Sequence, residues 1–416
     1  MLLSYLKIAW KVLLRRKVFT AISLFGISFT LMILLVVAAL YDHTVGPHTP
    51  EKRVDRLLFI NHMRLWSPEN QSNSSIGYSF LDRYVRTMRT PEKVAIATMA
   101  GGSVVAYLGN QKLKLDLRAT DGEFWQVLDF EFLAGRPYSA LEVREAARVA
   151  VINETTSRRY FGTTRDVVGR TLEAEDQRYR VVGVVRDVPA TRRNTYADLW
   201  IPLTVSTVNL RNPDYLGECI AIVLARRAAD VAAVQEEFRR VVRQVPVQDP
   251  KLFTEVRVYA EPLLATMLRE LTGEDGPDAG VGQFVGFTVG LSLLFMLLPA
   301  LNLVNLNVSR MLERRSEIGV RKAFGATNAT LVGQFLVENV FLTSVGGLLG
   351  LGLAAGALHL LNGSSLIDYA DFTLSRRVFG VGLGAVLFFG MLSGVYPAYK
   401  MSKLPAVQAL KGGTNA

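Results

Sequence analysis

Residues 19–40 form a run of 22 residues without one charged side chain. About 20 apolar residues in a helix cross the hydrocarbon core of a bilayer, so this run predicts a membrane span. It is longer than the apolar core of a secretory signal, and it is read as an uncleaved first span. Lys7, Lys11, Arg15, Arg16 and Lys17 precede it and place the N-terminus on the cytoplasmic side. Within residues 1–18, Lys7, Lys11 and Arg15 recur every four residues, while Leu2, Leu6, Trp10 and Leu13 follow another face. That is the pattern of an amphipathic helix on a membrane surface.

The composition changes after Leu40. Residues 41–280 are polar, mixed in charge and rich in turns, with no run long enough to span a membrane. About 240 residues can bury a sizeable core and are long enough for two subdomains. Segments rich in Val and Ile predict strands at residues 148–152, 179–185, 199–202, 219–225 and 255–259. Helices are expected at 154–160, capped by Asn153 and stopped by Gly162, and at 229–244, ending before Pro246. Gly169 and Arg170 make a turn. The region is therefore mixed α and β. Residues 41–56 and 260–280 flank it, and residues 273–282 (GEDGPDAGVG) are read as flexible.

Three further apolar segments follow. Residues 281–307 are read as a second span, interrupted by Gln283, Pro299, Asn302 and Asn305. Asn302 and Asn305 share a helix face, and helix–helix packing is the preferred role over substrate contact. Residues 329–361 are a third span. In it Gly346, Gly350, Gly352 and Gly356 provide small-residue spacing for close helix approach, within the chain or to a second chain. Glu338 is a candidate coupling or proton-relay group, with an interfacial ion pair as the plainer reading. Residues 362–377 form an outer loop, and residues 378–396 a fourth span. In the tail, residues 397–416, Lys400 and Lys403 mark the cytoplasmic side, and Pro397 and Pro405 delimit a short helical piece. The expected fold is thus four transmembrane helices with a large α/β extracytoplasmic domain inserted between the first and second.

The net charge of +10 could signal nucleic-acid binding, but the basic residues gather beside apolar runs, which favours membrane orientation. One cysteine, Cys219, excludes an intrachain disulfide, and the four histidines form no H-x-x-x-H pair. The extracytoplasmic region has no G-x-S-x-G elbow, which argues against an anchored enzyme. Glu173 and Glu175 would share a strand face there with nothing to mark a pocket.

Residues 308–328, between the second and third spans, carry five cations (Arg310, Arg314, Arg315, Arg321, Lys322) and two acids (Glu313, Glu317). Glu317 precedes Arg321 by four residues, the favourable order for a helical ion pair. Gly325 follows as a helix stop. The string E-I-G-V-R-K-A-F-G-A, from Glu317 to Ala326, resembles the signature of the macrolide-exporter and cell-division permease family of ABC transporters, the mechanotransmission permeases. The runs FWQVLDFEFLAGRPYS, ARVAVINETTSRRYFG, VVGRTL, YRVVGVVRDV and LWIPL are similar to that family's extracytoplasmic domain, in its order. The tail pattern P-A-x-x-x-x-x-x-P-A-x-x-A-L is similar to its C-terminal motif.

The resemblance implies a permease subunit in a bacterial inner membrane, with both termini cytoplasmic. ATPase coupling would fall on Glu313, Arg314, Glu317, Ile318, Gly319, Arg321, Lys322, Gly325 and Ala326. Because the chain has no G-x-x-x-x-G-K-[ST] loop, ATP and Mg would be held by an ATPase dimer, and this chain would bind no cofactor or metal. Two permease chains, identical or homologous, would pair in the lipid. A periplasmic adaptor or outer-membrane channel is an open partner, and nucleic acid is not expected. Motion of the outer domains would drive export or extraction of a substrate. Relatives that control a periplasmic hydrolase, or that release lipoproteins, leave two alternatives open.

Overall fold

The computed structural model describes residues 17–99, 102–108, 111–276, 278–313, 320, 324, 327–364, 369 and 372–402. In chain order it opens with helix α1 (Lys17–Val45). The strands are β1 (Leu57–Ile60), β2 (Met63–Trp66), β3 (Gln71–Ile76), β4 (Lys93–Thr98), β5 (Gly102–Leu108), β6 (Gln111–Thr120), β7 (Phe132–Gly135), β8 (Val149–Asn153), β9 (Thr171–Ala174), β10 (Gln177–Val185), β11 (Leu199–Pro202), β12 (Leu216–Gly217), β13 (Cys219–Leu224) and β14 (Glu255–Val258). Helices α2 (Ala140–Arg144), α3 (Glu154–Phe161), α4 (Val231–Gln244) and α5 (Leu263–Thr272) lie among and after the strands. Helices α6 (Val281–Glu313), α7 (Asn328–Gly363) and α8 (Arg376–Ser402) follow. Two compact units result: residues 43–283 with 365–371, and the long helices.

In the helical unit, three described segments are long and apolar enough to cross a membrane: Thr20–Val45, Ala329–Gly363 and Arg376–Val395. The apolar part of α6, Val281–Leu297, is shorter. Most of its side chains are exposed, Phe287 and Leu294 among them. Thr327 caps α7: its side chain accepts from the Thr330 amide. The expectation that Pro397 begins a separate helical piece is corrected, because α8 runs through it to Ser402. Proline removes one helical hydrogen bond but its φ is helical, so in an apolar helix the backbone continues past it.

The α/β unit contains two subdomains. Strands β11, β8, β10, β9, β5 and β6 pair in that order, and β6 pairs back with β11, in parallel over Leu117–Thr120 and Leu199–Pro202. The ring of pairings closes a six-stranded barrel, so no edge is left within it. Its thinnest seam is β5–β9, joined at Ala106 and Ala174 alone. Barrel-facing Val104, Ala106, Leu115, Ala150, Ile152, Leu172, Val181, Leu199 and Ile201 are buried together. Strand β7 adds to the barrel by pairing with β10, and the other strands form an open sheet around β13, every side chain of which is buried. One bridge, Ala97 to Thr120, joins β4 to β6 and links the two.

Local signals settle many element ends. The Asn153 side chain accepts from the Thr156 amide at 2.7 Å, and Gly162 adopts φ +74° to end α3. At α2, Ser139 and Glu142 form a reciprocal capping box, and Arg136 grips the Glu142 carboxylate. The Arg136 hydrogen bonds hold the Glu142 carboxyl at about 2, well below its ordinary value. A depressed carboxyl stabilises the fold above its unfolded pKa and loses that contribution as pH falls through the folded one. Glu142→Gln is therefore expected to cost about 1 kcal/mol at pH 7 and nothing near pH 2. The full shift would convert to more, but Arg136 is 56% exposed and solvent screens the pair. Thermal melts of both proteins from pH 7 to pH 2 check this, and a pH-independent difference contradicts it.

The carboxylates Glu173 and Glu175 do not share a strand face. β9 ends at Ala174, and Glu175 and Asp176, at φ +46° and +58°, form the two-residue turn into β10. Glu173 pairs with Arg178 across that hairpin.

Candidate functional site

The basic connection between α6 and α7 is the first candidate. Of the expected coupling residues, Glu313 ends α6. Arg314, Glu317, Ile318, Gly319, Arg321, Lys322, Gly325 and Ala326 lie outside the described residues. Between them, the Phe324 amide donates to the Val320 carbonyl at 3.1 Å, the spacing of one helical turn. The Val320 side chain is exposed, and that of Phe324 is 89% exposed. Phe324 is the most exposed large apolar side chain among the described residues. An aromatic ring so little covered, in a stretch whose sequence is rich in charge, has the chemistry of an anchor for a partner pocket.

The second candidate is the packing of the long helices. The four glycines of α7 do not form one face. A Cβ at Gly346 would meet the Ile27 side chain at 2.8 Å, and one at Gly350 would meet the Ser28 carbonyl at 3.0 Å. Both glycines therefore let α1 approach closely. Gly352 and Gly356 face open space within the chain. The reason is angular: six residues advance about 600° along a helix, so Gly352 lies some 240° around from Gly346. Gly346→Leu is expected to disrupt the α1–α7 contact and lower the yield of folded protein in membranes. Gly352→Leu should leave the yield unchanged. Equal yields from the two variants contradict the assignment.

Asn302 and Asn305 lie on α6, but their side chains are outside what the structure describes. The polar contact that is visible lies elsewhere. Buried Asn339 on α7 donates through Nδ2 to the Gly390 carbonyl at 2.6 Å and to Ser393 Oγ at 2.7 Å on α8. Thr343 Oγ1 donates to the Asn339 carbonyl. A carboxamide in lipid needs such partners, and here they hold two spans together. Glu338 accepts from Gln334 Nε2 at 2.9 Å.

The α/β unit holds two clusters that sequence reasoning missed. Glu51 and Arg192, 0% and 1% exposed, form an ion pair at 2.5 Å. Arg192 also donates to the carbonyls of His43 and Gly46 at the end of α1, and Thr195 Oγ1 donates to Glu51. Buried Arg118 holds the same loop from the other side, donating to the carbonyls of Thr98, Arg193 and Tyr196. Burial pushes its guanidinium down to about 10, with nearby Glu51 opposing.

The second cluster corrects the reading of residues 273–282 as flexible. Arg64 and Arg257 both pair with Asp275, and Tyr259 Oη donates to the Asp275 carbonyl. Arg269 donates to the carbonyls of Glu274 and Gly276, while its guanidinium is held by Glu261. Glycine-rich composition signals backbone freedom, but four side-chain donors outside the segment oppose it: Arg64 on β2, Arg257 on β14, Tyr259 just after β14 and Arg269 on α5. The segment is clasped to the unit as far as Gly276.

No group of three or more His, Cys, Asp or Glu side chains could hold a metal among the described residues. Cys219 is buried, and desolvation pushes its thiol up to about 12. The visible chemistry is therefore anchoring and packing.

Apolar helices long enough to cross a membrane precede and follow the α/β unit in the chain, the organisation of a membrane protein with an inserted domain. Residues 20–241 match the family described as MacB-like periplasmic core domain, and residues 289–406 match FtsX-like permease C-terminal. The chain belongs to the ABC transporter permease family that these two regions define. It is similar to the pyoverdine export ATP-binding/permease protein PvdT of Pseudomonas syringae pv. syringae, 24% identical over 98% of this chain and 59% of that protein. It is also similar to the uncharacterized ABC transporter permease YknZ of Bacillus subtilis, 22% identical over 82% of this chain and 81% of that one. The crystal structure of the periplasmic region of MacB from Actinobacillus actinomycetemcomitans covers 53% of this chain and 94% of its own, at 13% identity and a TM-score of 0.37. The chain spans about three fifths of the length of the PvdT relatives it matches.

Proposed function

We propose that the chain is the permease part of an exporter, with ATP hydrolysed by an ATP-binding unit outside these 416 residues. Family membership supports this, as does the printed role of PvdT in export. The chain has no phosphate loop, and the YknZ relative is named as a permease alone. The observation that carries the coupling site is Phe324, 89% exposed in the charged connection between α6 and α7.

In this reading four helices span a bacterial inner membrane: residues 19–40, 281–307, 329–361 and 378–396. Residues 1–18, 308–328 and 397–416 face the cytoplasm. Residues 41–280 form the outer domain, and residues 362–377 the outer loop. Two permease chains pair, with Gly352 and Gly356 offering an open helix face for the second. An ATPase dimer carrying ATP and Mg seats against residues 308–328. Its closure pushes on α6 and α7 and changes the spacing of the outer domains. The clasp at Asp275 passes motion of the segment before α6 to the strands that hold it. A periplasmic adaptor or outer-membrane channel would extend the assembly.

The test is a pull-down of tagged chain from detergent-solubilised membranes, with mass spectrometry of what co-purifies. An ATP-binding subunit is the expected partner. Its absence from preparations that retain paired permease chains overturns the reading.

A further inference from the structure

The barrel of the α/β unit is not filled at one end. A cavity of about 480 Å³ opens there, lined by residues of five barrel strands and by Arg148, which immediately precedes β8. Barrel mouths are recurrent ligand sites, and a volume between about 300 and 1,000 Å³ suits a small molecule. Its floor is apolar: Val104, Leu117, Ala174, Leu199 and Ile201. Its rim is polar and exposed, with Arg148, Glu175 and Thr207.

The rim has two unusual properties. First, Arg148 and Glu175 carry opposite charges but pair neither with each other nor with any other described residue. Among the described residues that line the cavity these are the two charged side chains, and they carry its charge pattern. Both act on Tyr179, which lines the same space. Burial raises that phenol, Arg148 lowers it and Glu175 raises it. Both charges therefore lie close enough to be felt at one ring. Second, Glu175 occupies the left-handed region at φ +46°, in a two-residue turn where Asn-Gly is the favoured pair. A non-glycine residue rarely adopts that conformation, and such residues cluster where a side chain serves a site.

We propose that the barrel mouth binds a small zwitterionic molecule with one apolar group, of the amino-acid or short-peptide class. The apolar group enters the barrel and covers the floor. The carboxylate meets the Arg148 guanidinium, and the ammonium meets Glu175. A lone anion or a lone cation satisfies only one of the two charges. This inference goes beyond the transport reading and does not depend on it.

The experiment uses three soluble probes with a common indole ring: L-tryptophan, indole-3-propionate and tryptamine. Their affinities for the full chain in phosphatidylcholine nanodiscs are compared by saturation-transfer NMR titration, with empty discs as the control. Tryptophan is expected to bind at least tenfold more tightly than either of the others. Arg148→Gln should weaken tryptophan and indole-3-propionate about tenfold and leave tryptamine unchanged. Glu175→Gln should weaken tryptophan and tryptamine and leave indole-3-propionate unchanged. Both rim positions are exposed, so neither change threatens the fold. The proposal is overturned if no probe binds beyond the empty discs, if tryptophan has no advantage, or if the two rim variants bind all three probes as the parent does.

Discussion

Glu51→Ala is expected to lower the stability of the α/β unit by about 3–5 kcal/mol, the cost of leaving one charge of a buried pair uncompensated. For a unit of this size that is a fall in melting temperature on the order of 10 °C. The effect is large because two things fail together. Arg192, which holds the His43 and Gly46 carbonyls, becomes a buried, unpaired ion at 1% exposure, and Thr195 Oγ1 loses one of its two acceptors. Arg192→Met should cost a similar amount, since it strands the Glu51 carboxylate. The double variant Glu51→Leu with Arg192→Met should cost less than the sum of the singles, because no unpaired charge is left. It should still fall below the parent, since the two carbonyls at the end of α1 lose their donor. Tryptophan fluorescence melts of the full chain in detergent decide it. A shift of under about 2 °C for either single variant, or strict additivity in the double, would falsify the description of this cluster as a buried, interdependent anchor.

The second large effect is functional. Glu317→Ala with Arg321→Ala is expected to abolish stimulation of the partner ATPase, a loss of at least about tenfold, while the α/β unit keeps its melting temperature. In the sequence the acid precedes the base by four residues, the order in which a helical pair would support a turn at Val320 and Phe324. Exposed pairs of this kind contribute only a few tenths of a kcal/mol to a helix, so a large loss must come from the partner contact. Phe324→Ala separates the two possibilities. It removes no charge and no helical pair, yet it deletes the ring that is 89% exposed. Truncating a central aromatic anchor typically costs an interface 2 kcal/mol or more, about thirtyfold in affinity. Co-purification of the ATPase that survives both the double variant and Phe324→Ala would place the docking surface elsewhere.

Much of the chain was legible because the signals are local. The uncharged run at residues 19–40 reads directly as α1, since helix length against bilayer thickness involves no distant residue. Asn153 and Gly162 mark the ends of α3 because a cap acts within one turn. The strand at residues 199–202 is found as β11 with the same limits, bounded by turn residues on both sides. The family string at residues 317–326 was equally plain in the sequence, and it led to the family that two matched regions show.

Other features could not be read this way. Glycine spacing in α7 shows that small residues recur, but not which of them meets a neighbour. Only the position of Ile27 and Ser28 separates Gly346 and Gly350 from Gly352 and Gly356. The composition of residues 273–282 argues for freedom, and four donors from elsewhere remove it up to Gly276.

The amino-acid sequence by itself determined where the apolar helices run, where the α/β unit is inserted, how several elements end and to which family the chain belongs. Each depends on residues a few positions apart or on an ordered motif. The tertiary structure alone decided that six strands close into a barrel, that Glu51 meets Arg192 across 141 residues, and that Arg148 and Glu175 share one rim. Pairings between distant segments are set by the packing of the whole core, and no periodicity along the chain encodes which partner a buried charge or an edge strand will find.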